Sequence, residues 1–271
     1  MNGDGNLAVF CDFENIALGV RDAKLTSFDI GPVIERLLLK GSIVAKKAYC
    51  DWERYKQFKK TMHEAAFELI EIPHARQSGK NSADIRMVVD ALDLCYTKEH
   101  IDTFVIVSGD SDFSPLVSKL RENAKSVIGV GVKQSTSDLL VSNCDEFIFY
   151  DDLVAERQPS RRRPRGRGRG KAKTDKKAAS PETPPAEDRA QEAIDLVLQT
   201  AEGLYAERGD RAKLWGSMIK QTLKRRRPGF SEAAFGFGSF NELLEEAQSR
   251  GLIELDLDER SGGYVIGAIS R

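Results

Sequence analysis

The chain has 271 residues, 41% hydrophobic and 31% charged, enough apolar content to build two cored domains. Its net charge of −1 conceals a segregation: from Arg157 to Lys177 only Asp175 is acidic, so the remainder is acidic on balance, a distribution that points to nucleic acid or anionic surfaces. Cys11, Cys50, Cys95 and Cys144 form no C-x-x-C pair and share no ligand spacing with His63, His74 and His100, which disfavours a zinc centre and fits buried thiols in a reducing compartment. No apolar run approaches membrane-spanning length and no basic-then-apolar leader opens the chain, so a soluble cytoplasmic protein is expected.

In chain order, residues 7–12 (LAVFCD) are a short, almost wholly apolar run, as expected of a strand buried on both faces. Residues 30–39 read as a helix, with Asp29 placed to cap it and Gly41 to stop it. A second strand is expected at 43–49, a helix within 53–67 and a third strand at 68–72. Ser82 can cap a helix over 83–96, in which Ile85, Val88, Val89 and Leu92 recur at helical spacing. Residues 103–108 (TFVIVS) are the most strand-like in the chain. A helix at 116–122, a strand at 127–132, a short helix near Leu139 and a last strand at 146–150 follow. Strands alternating with helices imply an α/β fold, a parallel sheet with helices on both faces.

Residues from about 155 to 187 (RRRPRGRGRGKAK, then SPETPPAED) cannot bury apolar area and read as a basic disordered linker. Order returns from Asp188: helices at 190–205, 213–223 and 240–250, then a strand at 252–257, the turn ERSGG and a strand at 264–269. Three helices and a hairpin describe a smaller winged-helix-like module. The expected division is therefore 1–153, linker 154–187 and 188–271.

Parallel sheets bind ligands beyond the carboxyl ends of their strands, where strand order reverses. Asp12 stands at the end of the first strand and Asp110 just after the fourth, in SGDSDF; Asp112 lies two residues on, and Asp84 in the first turn of the preceding helix. Four converging carboxylates raise one another's pKa unless a cation neutralises them, and Mg²⁺ or Mn²⁺ suits such oxygen donors. The ion would activate water and stabilise charge on a phosphodiester. Each acid alone reads equally well as a helix cap, Asp112 above all. Asn15, one turn after Asp12, is a candidate for holding a water or phosphate, or for fixing the turn. Asp90 reads as structural.

The stretches AVFCDFENI (8–16), GKNSADIRMVVDAL (79–92) and FVIVSGDSDFSPLV (104–117) resemble the NYN domain family, a branch of the PIN-like nucleases, over about 1–152. The resemblance implies a PIN-like sheet, metal-dependent cleavage of RNA, and Asp12, Asp84, Asp110, Asp112 and Asn15 as its site residues. It also carries an expectation that two copies pair. The segment 214–255 with GGYVI (262–266) resembles the LOTUS (OST-HTH) domain, which implies RNA binding or docking to RNA-processing proteins.

Basic residues supply further candidates. Arg161, Arg162, Arg163, Arg165, Arg167 and Arg169 offer salt-dependent phosphate contacts, or a solubilising tether. Lys220, Lys224, Arg225, Arg226 and Arg227 cluster at a helix end, where they also suit the helix dipole. Lys80, and less clearly Arg76, precede Asp84 and are placed to steer a phosphate. The leading expectation is a metal-dependent endoribonuclease with an RNA-recognition module; the alternative is a non-catalytic RNA-binding adaptor with a vestigial acidic site. A Toprim-type domain would use Glu14 in place of Asp12 and give Asp84 no role. A haloacid dehalogenase-type phosphatase is disfavoured because its first-strand D-x-D reads Asp12-Phe13-Glu14 here.

Overall fold

A computed structural model of the chain describes residues 5–72, 82–157, 186–208, 213–258 and 262–269. They divide into two compact units, one formed by Met1–Ala155 with Gln221–Phe230 and the other by Glu156–Lys220 with Ser231–Arg271. The expected linker arginines, and the loop carrying Arg76 and Lys80, lie outside the described residues.

The first unit is built on β1 (Gly5–Asp12), α1 (Phe13–Asp22), α2 (Gly31–Leu38), β2 (Gly41–Cys50), α3 (Lys56–Glu64), β3 (Glu68–Glu71) and α4 (Ser82–Thr97). It continues with β4 (Thr103–Val107), a 3-10 turn (Ser111–Phe113), α5 (Ser114–Glu122), β5 (Ser126–Gly131), α6 (Asp138–Asn143), β6 (Glu146–Phe149) and α7 (Tyr150–Arg157). The six strands form one parallel sheet in the order β3-β2-β1-β4-β5-β6. The expected α/β architecture is observed, consistent with a PIN-like fold.

Alternation along β1 explains its apolar run. Leu7, Val9 and Cys11 enter a core with Ile16 and Val20 of α1, Val33 and Leu37 of α2, and Met62 of α3. Ala8 and Phe10 face the opposite layer with Met87 and Ala91 of α4 and Leu116, Val117 and Leu120 of α5. A side chain such as Phe10, fully buried, contributes roughly 1.5–3 kcal/mol through the water it sheds. The four cysteines are buried free thiols, as expected. Among the described residues, no helix is long and apolar enough to cross a membrane.

Several bounds differ from expectation for identifiable reasons. The helix read at 53–67 narrows to α3, because Asp51 organises a turn: its carboxylate accepts from Glu53 N at 3.1 Å and its carbonyl from Arg54 N at 3.1 Å. Asp29 accepts from Gly31 N at 2.9 Å, but Ile30 occupies the cap of α2. Tyr150 leaves the last strand and opens α7, its hydroxyl accepting from Asp29 N at 2.8 Å.

The second unit contains α8 (Ala186–Arg208), β7 (Leu214–Trp215), a 3-10 turn (Glu232–Phe235), α10 (Phe240–Ser249), β8 (Ile253–Asp258) and β9 (Gly263–Ile269); α9 (Gly216–Arg226) begins in it. The strands form an antiparallel sheet in the order β7-β9-β8. The helix expected at 213–223 starts later because Leu214 and Trp215 pair with Ile266 and Val265 instead. Lys220 is engaged by Glu232 at 2.8 Å and lies over the Phe240 ring.

Candidate active site

Sheet register delivers the first two acids. Cys11 pairs with Val107 across β1 and β4, so Asp12 and Ser108, the next residues, leave the sheet side by side. This is where strand order reverses, with β2 and β3 on one side of β1 and β4, β5 and β6 on the other.

A hydrogen-bonded frame holds the two strand ends together. Ser108 Oγ donates to Asp12 Oδ2 at 3.1 Å and accepts from Asp110 N at 3.2 Å. Asn15 N donates to Asp12 Oδ1 at 3.2 Å, and Asn15 Oδ1 accepts from Gly109 N at 2.9 Å. Asp110 Oδ1 in turn accepts from Asp112 N at 3.0 Å. Asp12 and Asp110 are therefore N-caps, of α1 and of the 3-10 turn. The capping role weighed for Asp112 belongs to Asp110: Phe113 is the cap of α5 and makes no side-chain cap bond. Gly109 has no room for a side chain, since a Cβ there would lie 2.6 Å from Ser135 O.

Electrostatics ties the acids further. Asp12 is 7% exposed, and burial, with added pressure from Asp84 and Asp110, pushes its carboxyl up to about 7 against the pull of its bonds from Asn15 and Ser108. Asp84 is raised by burial first, then by Asp110, Asp112 and Glu14. Asp84 is thus within electrostatic reach of Asp12, Asp110, Asp112 and Glu14, and Asp12 within reach of Asp110. Among the described residues, no three acidic, His or Cys groups converge tightly enough to cage a metal ion. All the donors are nonetheless hard oxygens, and Mg²⁺ takes one or two carboxylates and completes its shell with water. The donor set fits such an ion.

The other candidates divide. Asn15 is brought to the edge, with its carbonyl oxygen committed to Gly109. Asp90 is structural: it accepts from Tyr49 Oη at 2.9 Å and pairs with Arg86 at 3.1 Å, anchoring α4, the helix that carries Asp84. Lys80, Arg161, Arg162, Arg163 and Arg165 lie outside the described residues. Arg225 and Arg226 are exposed at the end of α9, while Lys224 pairs with Glu146 at 3.2 Å. Sequence reasoning missed Ser108 and the contribution of Glu14; the SGDSDF and DFE strings contained both. An open cleft of about 470 Å³ adjoins the edge, lined by Ser111, Asp112, Ser114, Pro115, Ser118 and Leu139.

Comparison with known proteins gives a consistent picture. The family model described as "NYN domain" matches residues 6–151. An uncharacterized protein of Methanocaldococcus jannaschii is 37% identical over 65 residues, covering 24% of this chain and 27% of that protein. The chain thus spans about a quarter of the length of that relative. A crystal structure of a protein of unknown function from Vibrio parahaemolyticus superposes with a TM-score of 0.50 at 26% identity, covering 56% of this chain and 97% of that one.

Proposed function

This chain belongs to the NYN domain family, and on that premise we propose that its N-terminal unit is a divalent-metal-dependent endoribonuclease. The observation that carries the reading is the Asp12–Ser108–Asp110 frame at the point of strand reversal, with Asp84 in electrostatic reach. Burial, with Asp84 and Asp110 adding to it, pushes the Asp12 carboxyl up to about 7, and a bound cation would relieve the cost of ionising it.

In this reading Asp12, Asp84, Asp110 and Asp112 hold Mg²⁺ or Mn²⁺. The ion would supply positive charge that favours deprotonation of the attacking water and stabilises the phosphodiester as it is cleaved. Ser108 fixes one Asp12 oxygen and the Asp110 backbone together. Asn15 keeps the β1 and β4 ends at constant separation through Gly109. The buried layer beneath Asp12 shields that carboxylate from bulk water, which strengthens its attraction for a cation.

The remaining parts supply affinity. The basic linker arginines, Arg161, Arg162, Arg163, Arg165, Arg167 and Arg169, are proposed to hold RNA through phosphates, with Lys80 steering it toward Asp84. The segment 188–271 is proposed as a LOTUS-type module, supported by its helices and small antiparallel sheet. Arg225 and Arg226, which end α9 in the stretch Gln221–Phe230 grouped with the first unit, are proposed to contact RNA or an RNA-processing partner. The capping use of Asp12 and Asp110 favours a second reading, an RNA-binding adaptor in which these acids serve only the fold.

A panel of end-labelled RNA and DNA strands, incubated with the full chain in Mg²⁺, Mn²⁺ or EDTA, separates the two. The nuclease reading predicts internal cuts in RNA that require the metal and stop in EDTA. RNA that is bound but uncut under every metal condition would establish the adaptor.

A further inference from the structure

An RNA strand approaching the acidic edge meets a field of its own sign, so cations placed at that edge have particular value. Glu14, one of the acids raising Asp84, is paired at 3.1 Å with Arg54, whose side chain is 52% exposed. Arg54 ends the turn organised by Asp51. That turn is fixed to the site by packing. Phe13, the residue after Asp12, is fully buried, with its ring 5.0 Å from Trp52, 5.5 Å from Tyr55 and 5.1 Å from Phe58. Trp52 is pinned in turn: its backbone N donates to Glu71 Oε1 at 3.0 Å, and its indole to Ile70 O at 3.1 Å. The turn that carries Arg54 is therefore anchored to the packing around Phe13, the neighbour of Asp12, although 42 positions separate Arg54 from Asp12 in sequence.

Neighbouring acids do not compete for it. Glu53 is engaged by Lys56 at 2.7 Å and Lys59 at 3.1 Å, and Glu71 by Trp52. Arg54 and Glu14 form an ion pair too exposed to add much to the fold. An arginine so placed can exchange a carboxylate for a phosphate, which its planar fork matches with two parallel hydrogen bonds. We propose that Arg54 is a substrate-binding residue of the acidic edge: it takes a phosphate flanking the scissile one on single-stranded RNA, and Glu14 holds it in place until the RNA arrives. This rests on the nuclease reading above, but a substrate contact and a chemical step fail separately.

The test is a methylphosphonate scan of a short single-stranded RNA, one neutralised phosphate at a time, on the full chain and its Arg54→Ala and Arg54→Lys variants. In the wild type, neutralising one phosphate beside the cut should lower kcat/KM about ten-fold, as loss of a charged contact does. Arg54→Ala should cut the unmodified RNA about ten-fold less well through KM, and the penalty at that one phosphate should vanish while the others persist. Arg54→Lys should fall between. An unchanged scan in Arg54→Ala, or a loss confined to kcat, overturns the proposal. Should the wild-type chain bind RNA without cutting it, the nuclease reading fails alone. The same scan read as Kd then decides for Arg54, by the presence or absence of that position-specific penalty.

Discussion

Asp12 serves as a helix cap and as a candidate metal ligand, and both roles draw on the same two oxygens. Its carboxyl, pushed up to about 7 mainly by burial, has a folded pKa above its unfolded value near 3.8. The folded state therefore binds the extra proton between those values, and the metal-free protein loses stability as pH rises from about 4 to 7. Asp12→Asn removes the ionisation but gives up one acceptor, so a net gain of roughly 1–2 kcal/mol is expected at pH 8 in EDTA, with none at pH 4. Thermal melts of both proteins at the two pH values check this; a variant that melts below wild type at pH 8 contradicts it. At this scale the sequence was legible for residues that end strands: Asp12 and Asp110 follow apolar runs, and topology alone brings them together. Ser108 and Arg54 were not. Their roles depend on cross-strand register and on a turn from another strand, neither of which leaves a local pattern.

Elements whose partners lie on both faces of the sheet were the easiest to read, because burial writes itself as an apolar run or a helical stripe. Short or irregular pieces were harder. The two residues of β7 exist as a strand only through pairing with β9, and the turn at Asp51 displaced the start of α3. The end of α5 carries a cost that sequence does not reveal: Ala124 sits at φ 56, a left-handed conformation that disfavours a side chain. Glycine at this helix-terminating position relieves that strain but has more freedom to lose on folding. Ala124→Gly is expected to stabilise the unit by about 0.5–1 kcal/mol, read from denaturant midpoints at constant m-value. A lower midpoint would show that the methyl group contributes packing that outweighs its strain.

Across the whole molecule, charge segregation was the plainest feature of the sequence, and its basic part lies outside the described residues. Replacing Arg161, Arg162, Arg163, Arg165, Arg167 and Arg169 with glutamine in the full chain is expected to weaken RNA binding and flatten its salt dependence, each lost phosphate contact reducing the slope by about 0.7. The single-turnover cleavage rate at saturating protein should stay within about two-fold, because uniform binding is separable from the chemical step. Affinity and slope equal to wild type would make the segment a tether.

The frame around Asp12, Ser108 and Asp110 is tested most directly by single-turnover cleavage of one RNA across a Mn²⁺ titration, with wild type beside Asp110→Asn. The nuclease reading predicts a rate that rises and saturates with Mn²⁺ in the wild type. In the variant it predicts background at every Mn²⁺ concentration, while the RNA remains bound. A variant that cuts at the wild-type rate would contradict it.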